Sequence, residues 1–129
     1  MKSKRIAIYY VDGNMSSVSH MERVFAMLVG RMDSEGRQLR YVNERMAIFE
    51  DGTKIHKVPI TGVVLGIRAT DVYVDENIVG LKNGNKFIEE VVMPSVLPEG
   101  NYEHLEVKGE PSSRLLVFGA NGINKYLGE

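Results

Sequence analysis

Two consecutive carboxylates follow an apolar run in the middle of the chain. The run is residues 72–74, Val-Tyr-Val; Asp71 precedes it, and Asp75 and Glu76 follow it. A strand that ends in Asp-Glu can present one carboxylate to Mg²⁺ and the other to a water molecule that attacks a phosphate. The plainer alternative is that these acids only end the strand and cap the next element, and we favour that alternative because no phosphate loop accompanies them.

A nucleotide hydrolase of this kind needs a loop that holds the phosphates. The motif G-x-x-x-x-G-K-[ST] does so with backbone N–H groups and a lysine. Residues 11–17, Val-Asp-Gly-Asn-Met-Ser-Ser, stand between a predicted strand and a predicted helix, but they include no lysine. We therefore expect no ATP hydrolysis and assign no catalytic residue.

Other reactive side chains give no recognisable site. His20, His56 and His104 share no spacing typical of metal ligands. The serines lie outside any G-x-S-x-G elbow. The absence of cysteine excludes disulfides, thiolate catalysis and cysteine zinc sites. We expect neither a metal nor a cofactor.

Arginines interleaved with aromatic residues are the remaining candidate for binding. Guanidinium groups match phosphate oxygens, and flat rings stack on bases. Arg68 and Arg114 stand out because each borders an apolar run, where a guanidinium is costly unless it is paired or meets an anion. For any one arginine, a surface position offset by the 17 acids is the alternative. The interleaved residues are Arg31, Arg37, Arg40, Arg45, Arg68 and Arg114 with Tyr41, Phe49, Tyr73, Phe87, Tyr102 and Phe118.

Composition indicates an ordinary globular protein. The 129 residues are 43% hydrophobic and 26% charged, with a net charge of −1. We expect a single domain over residues 1–129, with a helix-plus-sheet core over 1–77 and a hairpin-rich part over 78–129. Nucleic acid is an unexpected partner at this charge. The chain has no predicted membrane span or signal peptide, so we expect it in the cytoplasm.

One long helix is the clearest element. Met21, Val24, Phe25, Leu28 and Met32 recur at helical spacing, which predicts a helix from about Ser17 to Glu35. Ser19 and Glu22 match a capping box, and Gly36 supplies the C-terminal stop. Ala26 and Gly30 lie one turn apart on another face. They indicate either a gap for packing against the sheet or a helix–helix contact in an oligomer.

Strands account for most of the rest. Lys4–Val11 reads as a buried central strand. Asp51-Gly52 and Asn83-Gly84 are type I′ turn signals, which predict hairpins over residues 37–60 and 78–93. A strand over residues 114–118 and a short helix over 123–127 complete the chain. The predicted class is α+β: a mainly antiparallel sheet packed by one long helix, with a small hairpin-rich C-terminal part.

The segment from Phe49 to Asn77 resembles part of the ATPase of phage terminase large subunits. In that family an "nGs.i" hairpin precedes "rG.rad...vDE", and here Asp51-Gly52-Thr53-Lys54-Ile55 precedes the segment GIRATDVYVDE of residues 66–76. The resemblance places Asp75 and Glu76 in the Walker-B position. It implies a phage protein associated with nucleic acid.

In length and element order the chain is also similar to the Thoeris anti-defence protein 1 family of phages. That resemblance implies an α+β protein that assembles as a dimer or higher oligomer in the host bacterial cytoplasm. It implies binding and sequestration of a cyclic nucleotide immune signal of the cyclic ADP-ribose type, without cleavage. The residues of matching chemistry are Arg68, Arg114, Phe87, Asn101 and Tyr102.

Three functions therefore stand beside one another. The first is a non-enzymatic sponge for a cyclic nucleotide, which has donors and ring surfaces but needs no general base. The second is a terminase-related protein associated with nucleic acid. The third is a magnesium-dependent nucleotide hydrolase that uses Asp75 and Glu76.

Overall fold

A seven-stranded sheet runs through the molecule. The computed structural model describes residues 3–62, 68–96 and 115–125, and of residues 124 and 125 only the backbone. The strands are β1 (Arg5–Tyr10), β2 (Leu39–Val42), β3 (Met46–Phe49), β4 (Lys54–Pro59), β5 (Asp71–Asp75), β6 (Leu115–Gly119) and β7 (Gly122–Lys125), in the spatial order β2-β3-β4-β1-β5-β6-β7.

The sheet is mixed, and the prediction of a mainly antiparallel sheet is wrong. β4, β1, β5 and β6 are parallel to one another, and only the outer pairs β2/β3, β3/β4 and β6/β7 are antiparallel. Parallel strands are covered on both faces, and β1 and β5 are accordingly short, almost wholly buried apolar runs. The coarser prediction of strands plus one long helix is confirmed.

The long helix, α1 (Met15–Ser34), is 20 residues long and packs on one face of the sheet. All five residues of the predicted apolar stripe are buried. The capping-box prediction is wrong, because the helix begins one turn earlier and Asn14 accepts a hydrogen bond from the Ser17 N–H. Ala26 and Gly30 are exposed, and a β-carbon at residue 30 would meet nothing within 4 Å, so they are not a gap against the sheet.

The first predicted hairpin is confirmed where β3 turns into β4, but its predicted first arm over residues 37–50 is two antiparallel strands, β2 and β3, and its turn is of another type. The strands β3 and β4 are joined through Asp51 and Gly52, and Gly52 has a φ of 91°. A type I′ turn also needs a positive φ at Asp51, and in the described residues only glycines have one. Arg37 is buried beneath this turn, where it donates to Asp51 and to the Thr53 hydroxyl.

The second predicted hairpin is wrong. Residues 76–79 and 84–95 are helical: α2 (Glu76–Val79) is followed, after a turn, by α3 (Gly84–Phe87), a π-helical turn (Ile88–Val92) and α4 (Met93–Ser95). We call residues 84–95 the second-face helix, because Ile88 and Val92 pack on the face of the sheet opposite α1. The buried residues 88, 92 and 95 follow helical spacing, which prevails over the Asn-Gly turn signal.

The C-terminus also differs from its prediction. Residues 122–125 form β7, not a helix, and Gly122 with a φ of 96° turns the chain back from β6. Tyr102, Leu105 and Val107, whose spacing predicts a short strand, lie outside the described residues. Within the described ranges, no helix is long and apolar enough to cross a membrane.

Candidate functional site

The carboxyl ends of β1 and β5 lie side by side at the point where the order of the strands in the sheet reverses. From β1 the chain passes through α1 and the hairpin to β4 on one side, and from β5 it continues to β6 on the other. In open sheets with parallel strands, ligands bind in the crevice outside the carboxyl ends at such a switch point. A binding site is therefore expected at this edge of the sheet, and we call it the carboxyl-edge site.

Asp75 is the most deeply buried acid at this edge. It ends β5 with no exposed surface and points toward α1. Its Oδ1 lies 3.2 Å from Nδ1 of His20, and its Oδ2 accepts a hydrogen bond from the Asn77 amide at 2.8 Å. A buried carboxylate needs such partners, because an unpaired charge in the interior is strongly destabilising.

His20 is fixed by this contact in one orientation. It lies on α1 beside the buried stripe, since it follows the buried Ser17 by three residues and precedes the buried Val24 by four. Its side chain is 13% exposed. With Nδ1–H donating to Asp75, Nε2 is left for an outside partner, as an acceptor in the neutral ring or a donor in the protonated one.

The start of α1 forms one wall of the site. Residues 11–14 connect β1 to the helix, and the buried Ser17 hydroxyl accepts a hydrogen bond from the Val11 N–H at 2.8 Å. The Asn14 side chain caps one first-turn N–H group, that of Ser17; the others face the helix end without an intrahelical acceptor. No atom lies within 4 Å of the position for a β-carbon on Gly13, so the backbone there is open to approach.

Acids surround this opening. Asp12 accepts a hydrogen bond from the Thr61 hydroxyl at 2.5 Å, which is the main cause that lowers its pKa. Burial, followed by the charges of Asp12 and Glu22, raises the pKa of Tyr10 above 10.0. The Tyr10 phenol therefore stays neutral and remains a hydrogen-bond donor at physiological pH.

Glu76 lies on the β6 side of the same edge. It is exposed, and Oε1 accepts a hydrogen bond from the Ala120 N–H at 3.2 Å. Its carboxylate lies against Gly119, in the space that a β-carbon would fill. Asp75 and Glu76 thus diverge: one points to α1 and the other to the end of β6.

The five predicted binding residues are only partly described. Arg114, Asn101 and Tyr102 lie outside the described residues. Arg68 donates to the Pro94 carbonyl at 3.0 Å, at the end of the second-face helix, and Phe87 packs edge-on against Tyr9 with ring centroids 6.1 Å apart. Phe87 and Pro94 are seven positions apart, which is roughly 10 Å along the helix. Arg68 and Phe87 are therefore not brought together by the described residues.

Sequence patterns predicted the two acids of the carboxyl-edge site but not the partners of Asp75. The Asp-Glu pair was recognised from its place after an apolar run, whereas the pairing of Asp75 with His20 and Asn77 was not predicted. The only signal for His20 was its place beside the helical stripe, because residues 20 and 75 are 55 positions apart in sequence. Asn77 gave no signal of its own.

Groups of three or more His, Asp or Glu side chains arranged to hold a metal are absent from the described ranges. Comparisons with protein-family models, with curated proteins and with solved structures found no significant match to this chain.

Proposed function

We propose that this protein binds a nucleotide at the carboxyl-edge site and does not hydrolyse it by itself. The observation that supports this most is the position of the His20–Asp75 pair: a buried carboxylate orients an imidazole at the switch point of a parallel sheet, beside the start of a long helix. Ligands with phosphate groups favour such helix ends, because the free N–H groups and the helix dipole attract negative charge.

Two parts of a nucleotide, its phosphates and its ribose, have matching groups at this edge. The phosphate oxygens would accept from the first-turn N–H groups of α1 and from Nε2 of a protonated His20. Ribose hydroxyls would donate to Asp12 or Glu76, the exposed acids on either side. Asp75 would not touch the ligand, since both its oxygens are already used by His20 and Asn77.

The connection between β1 and α1 supports the proposal of binding without turnover. It consists of residues 11–14, shorter than the phosphate-loop motif, and contains no lysine. A loop of that length cannot wrap a triphosphate. The finer proposal is that the ligand is a cyclic nucleotide signal of the cyclic ADP-ribose type, held in the cytoplasm of a phage-infected bacterium by an oligomer of this chain.

A ligand panel tests the proposal. Calorimetry would measure binding of ATP, a cyclic ADP-ribose isomer and a cyclic dinucleotide, each with and without Mg²⁺. We expect micromolar or tighter binding of at least one of them, and heat denaturation of the complex should return the ligand intact. Chemical change of the ligand on prolonged incubation would contradict the absence of turnover.

Two variants locate the site. His20→Gln removes the oriented imidazole and should weaken binding at least tenfold, whereas Arg40→Gln, an exposed cation on the edge strand β2, should leave binding unchanged. Binding that depends on Arg40 and not on His20 would overturn the assignment. Failure of every nucleotide to bind at micromolar concentration would reject the function itself.

A terminase-related role in nucleic-acid handling is the second candidate. It is favoured by one observation: Asp75 and Glu76 stand at the carboxyl end of a central parallel strand, after the β3–β4 hairpin, as in the resemblance of residues 49–77. If it is correct, DNA should bind with an affinity that falls steeply with salt. Salt-independent binding, or none, would reject it.

A further inference from the structure

Two positive side chains lie directly opposite each other on neighbouring strands, far from the carboxyl-edge site. Arg5 on β1 is the registered partner of Lys54 on β4, at the amino ends of these parallel strands. Registered residues place their side chains on the same face, about 5 Å apart at the β-carbons. Like charges in this arrangement repel each other, so the pair needs a compensating partner.

A histidine extends the pair. His56 follows Lys54 by two residues along β4, so both side chains lie on the same face. Burial, and then the charges of Lys54 and Arg5, lower the pKa of His56 below 6.5. Its registered neighbours, Ala7 on β1 and Met46 on β3, carry no charge.

Within the part of the chain that the structure describes, no acid neutralises the two cations. Among the described residues, neither Arg5 nor Lys54 has a carboxylate within ion-pair distance, although Lys4, Arg37 and Lys57 each have one. The nearby Asp71 accepts a hydrogen bond from the Thr70 hydroxyl. Burial is the main cause that raises the pKa of Tyr73, and the charge of Asp71 adds to it, so the Asp71 side chain lies with Tyr73 on the face that α1 covers. Arg5 is exposed, and Lys54 and His56 are half-buried, so the group is open to an incoming anion.

The backbone beneath these side chains is firmly held. The Lys54 N–H donates to the Lys4 carbonyl at 2.9 Å, and the Lys4 N–H donates to the Thr53 hydroxyl at 3.1 Å. The Thr70 hydroxyl accepts from the Arg5 N–H at 3.2 Å. The two strands are therefore held together here, and the β-carbons of Arg5 and Lys54 stay next to each other.

We propose that Arg5, Lys54 and His56 form a second, separate binding site for a phosphate group, whether free or part of a nucleic-acid backbone. An oxyanion between the two cations replaces their repulsion with two charge-assisted hydrogen bonds. It also favours the protonated form of His56, which then adds a third donor. This site does not depend on the proposed nucleotide function, because it lies at the opposite end of the parallel strands from His20.

Inorganic phosphate is the first probe. Thermal unfolding would be compared in phosphate and in chloride at equal ionic strength and pH for the wild type, Arg5→Gln/Lys54→Gln and the control Arg23→Gln, an exposed cation on α1. We expect phosphate to raise the Tm of the wild type and of the control, and to leave that of the double variant unchanged. In chloride alone the double variant should be at least as stable as the wild type, because the repulsion is gone.

The second probe separates the two sources of phosphate. A fluorescent single-stranded oligonucleotide would be titrated at several salt concentrations. If the site binds the phosphate backbone of the oligonucleotide, the slope of log K against log[salt] should be smaller in magnitude by about 1.4 for the double variant than for the wild type. This difference corresponds to two lost phosphate contacts. Binding of phosphate with no oligonucleotide binding would assign the site to a free phosphate.

A third measurement reads His56 directly. In NMR titrations, phosphate should raise the pKa of His56 in the wild type and leave it unchanged in the double variant. The proposal is overturned if phosphate neither stabilises the wild type nor moves the His56 pKa, or if the double variant responds as the wild type does.

Discussion

The carboxylate of Glu76 lies over Gly119, in the position that a β-carbon at residue 119 would occupy. Because Glu76 follows β5 directly and Gly119 ends β6, this contact joins the carboxyl ends of two parallel strands. The same carboxylate accepts the Ala120 N–H, so the turn into β7 is held by a side chain from the neighbouring strand. A glycine is therefore needed at residue 119 to let the Glu76 carboxylate approach the backbone, and not to supply a positive φ.

Replacing this glycine should displace the glutamate. Gly119→Ala puts a methyl group where the Glu76 carboxylate lies, and the flexible side chain can swing into solvent. We expect a loss of about 1 kcal/mol in the free energy of unfolding, the net value of a typical hydrogen bond, because this one is exposed to solvent. In a Glu76→Ala background the same change should cost almost nothing, and urea denaturation of the four proteins measures the coupling. Equal costs in both backgrounds would show that the contact contributes nothing.

Gly84 should tolerate substitution far less well than Gly30. A β-carbon on Gly84 would collide with the backbone carbonyl of Ile78, which cannot move aside as a side chain can. We expect Gly84→Ala to destabilise by more than about 2 kcal/mol. Gly30→Ala, on the exposed face of α1 with open space around it, should stabilise by about 0.5–1 kcal/mol. Thermal and urea unfolding would measure both, and a neutral Gly84→Ala would contradict the packing.

The apolar stripe of α1 and Gly84 show where sequence patterns succeed and where they fail. The α1 stripe was predictable because its period is written in consecutive residues, from Met21 to Met32. Asn83-Gly84 gave a turn signal, yet Gly84 is present for its small size beside Ile78, and no local pattern distinguishes that need from a positive φ. The glycine at residue 84 was correctly singled out, but the structure needs it for its small size and not for a turn.

The parallel core and the carboxyl-edge site depend on contacts between distant residues. Ile6 is registered with Asp71, and an apolar run such as β1 fits a parallel or an antiparallel neighbour equally well. Asp75 was recognisable from its residue type, but its partner His20 is brought to it only by the way that α1 crosses the sheet. Single-sequence patterns therefore predict candidate residues better than they predict which of them meet.

Removing the Asp75 carboxylate should weaken the fold as well as the site. Asp75→Ala leaves His20 and Asn77, which are both half-buried, without their acceptor, and we expect a loss of about 2 kcal/mol in the free energy of unfolding. The matched control is Asp33→Ala, an exposed acid near the end of α1, which should change stability by less than about 0.5 kcal/mol. Equal effects of the two substitutions in urea denaturation would mean that the buried network adds no stability.

His56 should make stability depend on pH in the mildly acidic range. Burial, then Lys54 and Arg5, lower its pKa in the folded state, so below 6.5 the unfolded chain binds the proton more readily than the folded one. The free energy of unfolding should therefore fall as pH drops from about 6.5 through the lower folded-state pKa, and this contribution should level off below that value.

Two variants isolate this effect from other titrating groups. His56→Gln should lose less stability than the wild type between pH 7 and about pH 5, as measured by urea denaturation at a series of pH values. Lys54→Gln should move the NMR-measured pKa of His56 back toward 6.5, because one of the two repelling charges is gone. Measurement of a His56 pKa at or above 6.5 in the wild type, or parallel pH profiles for wild type and His56→Gln, would contradict the lowered pKa. An unchanged His56 pKa in Lys54→Gln would show that Lys54 does not act on this imidazole.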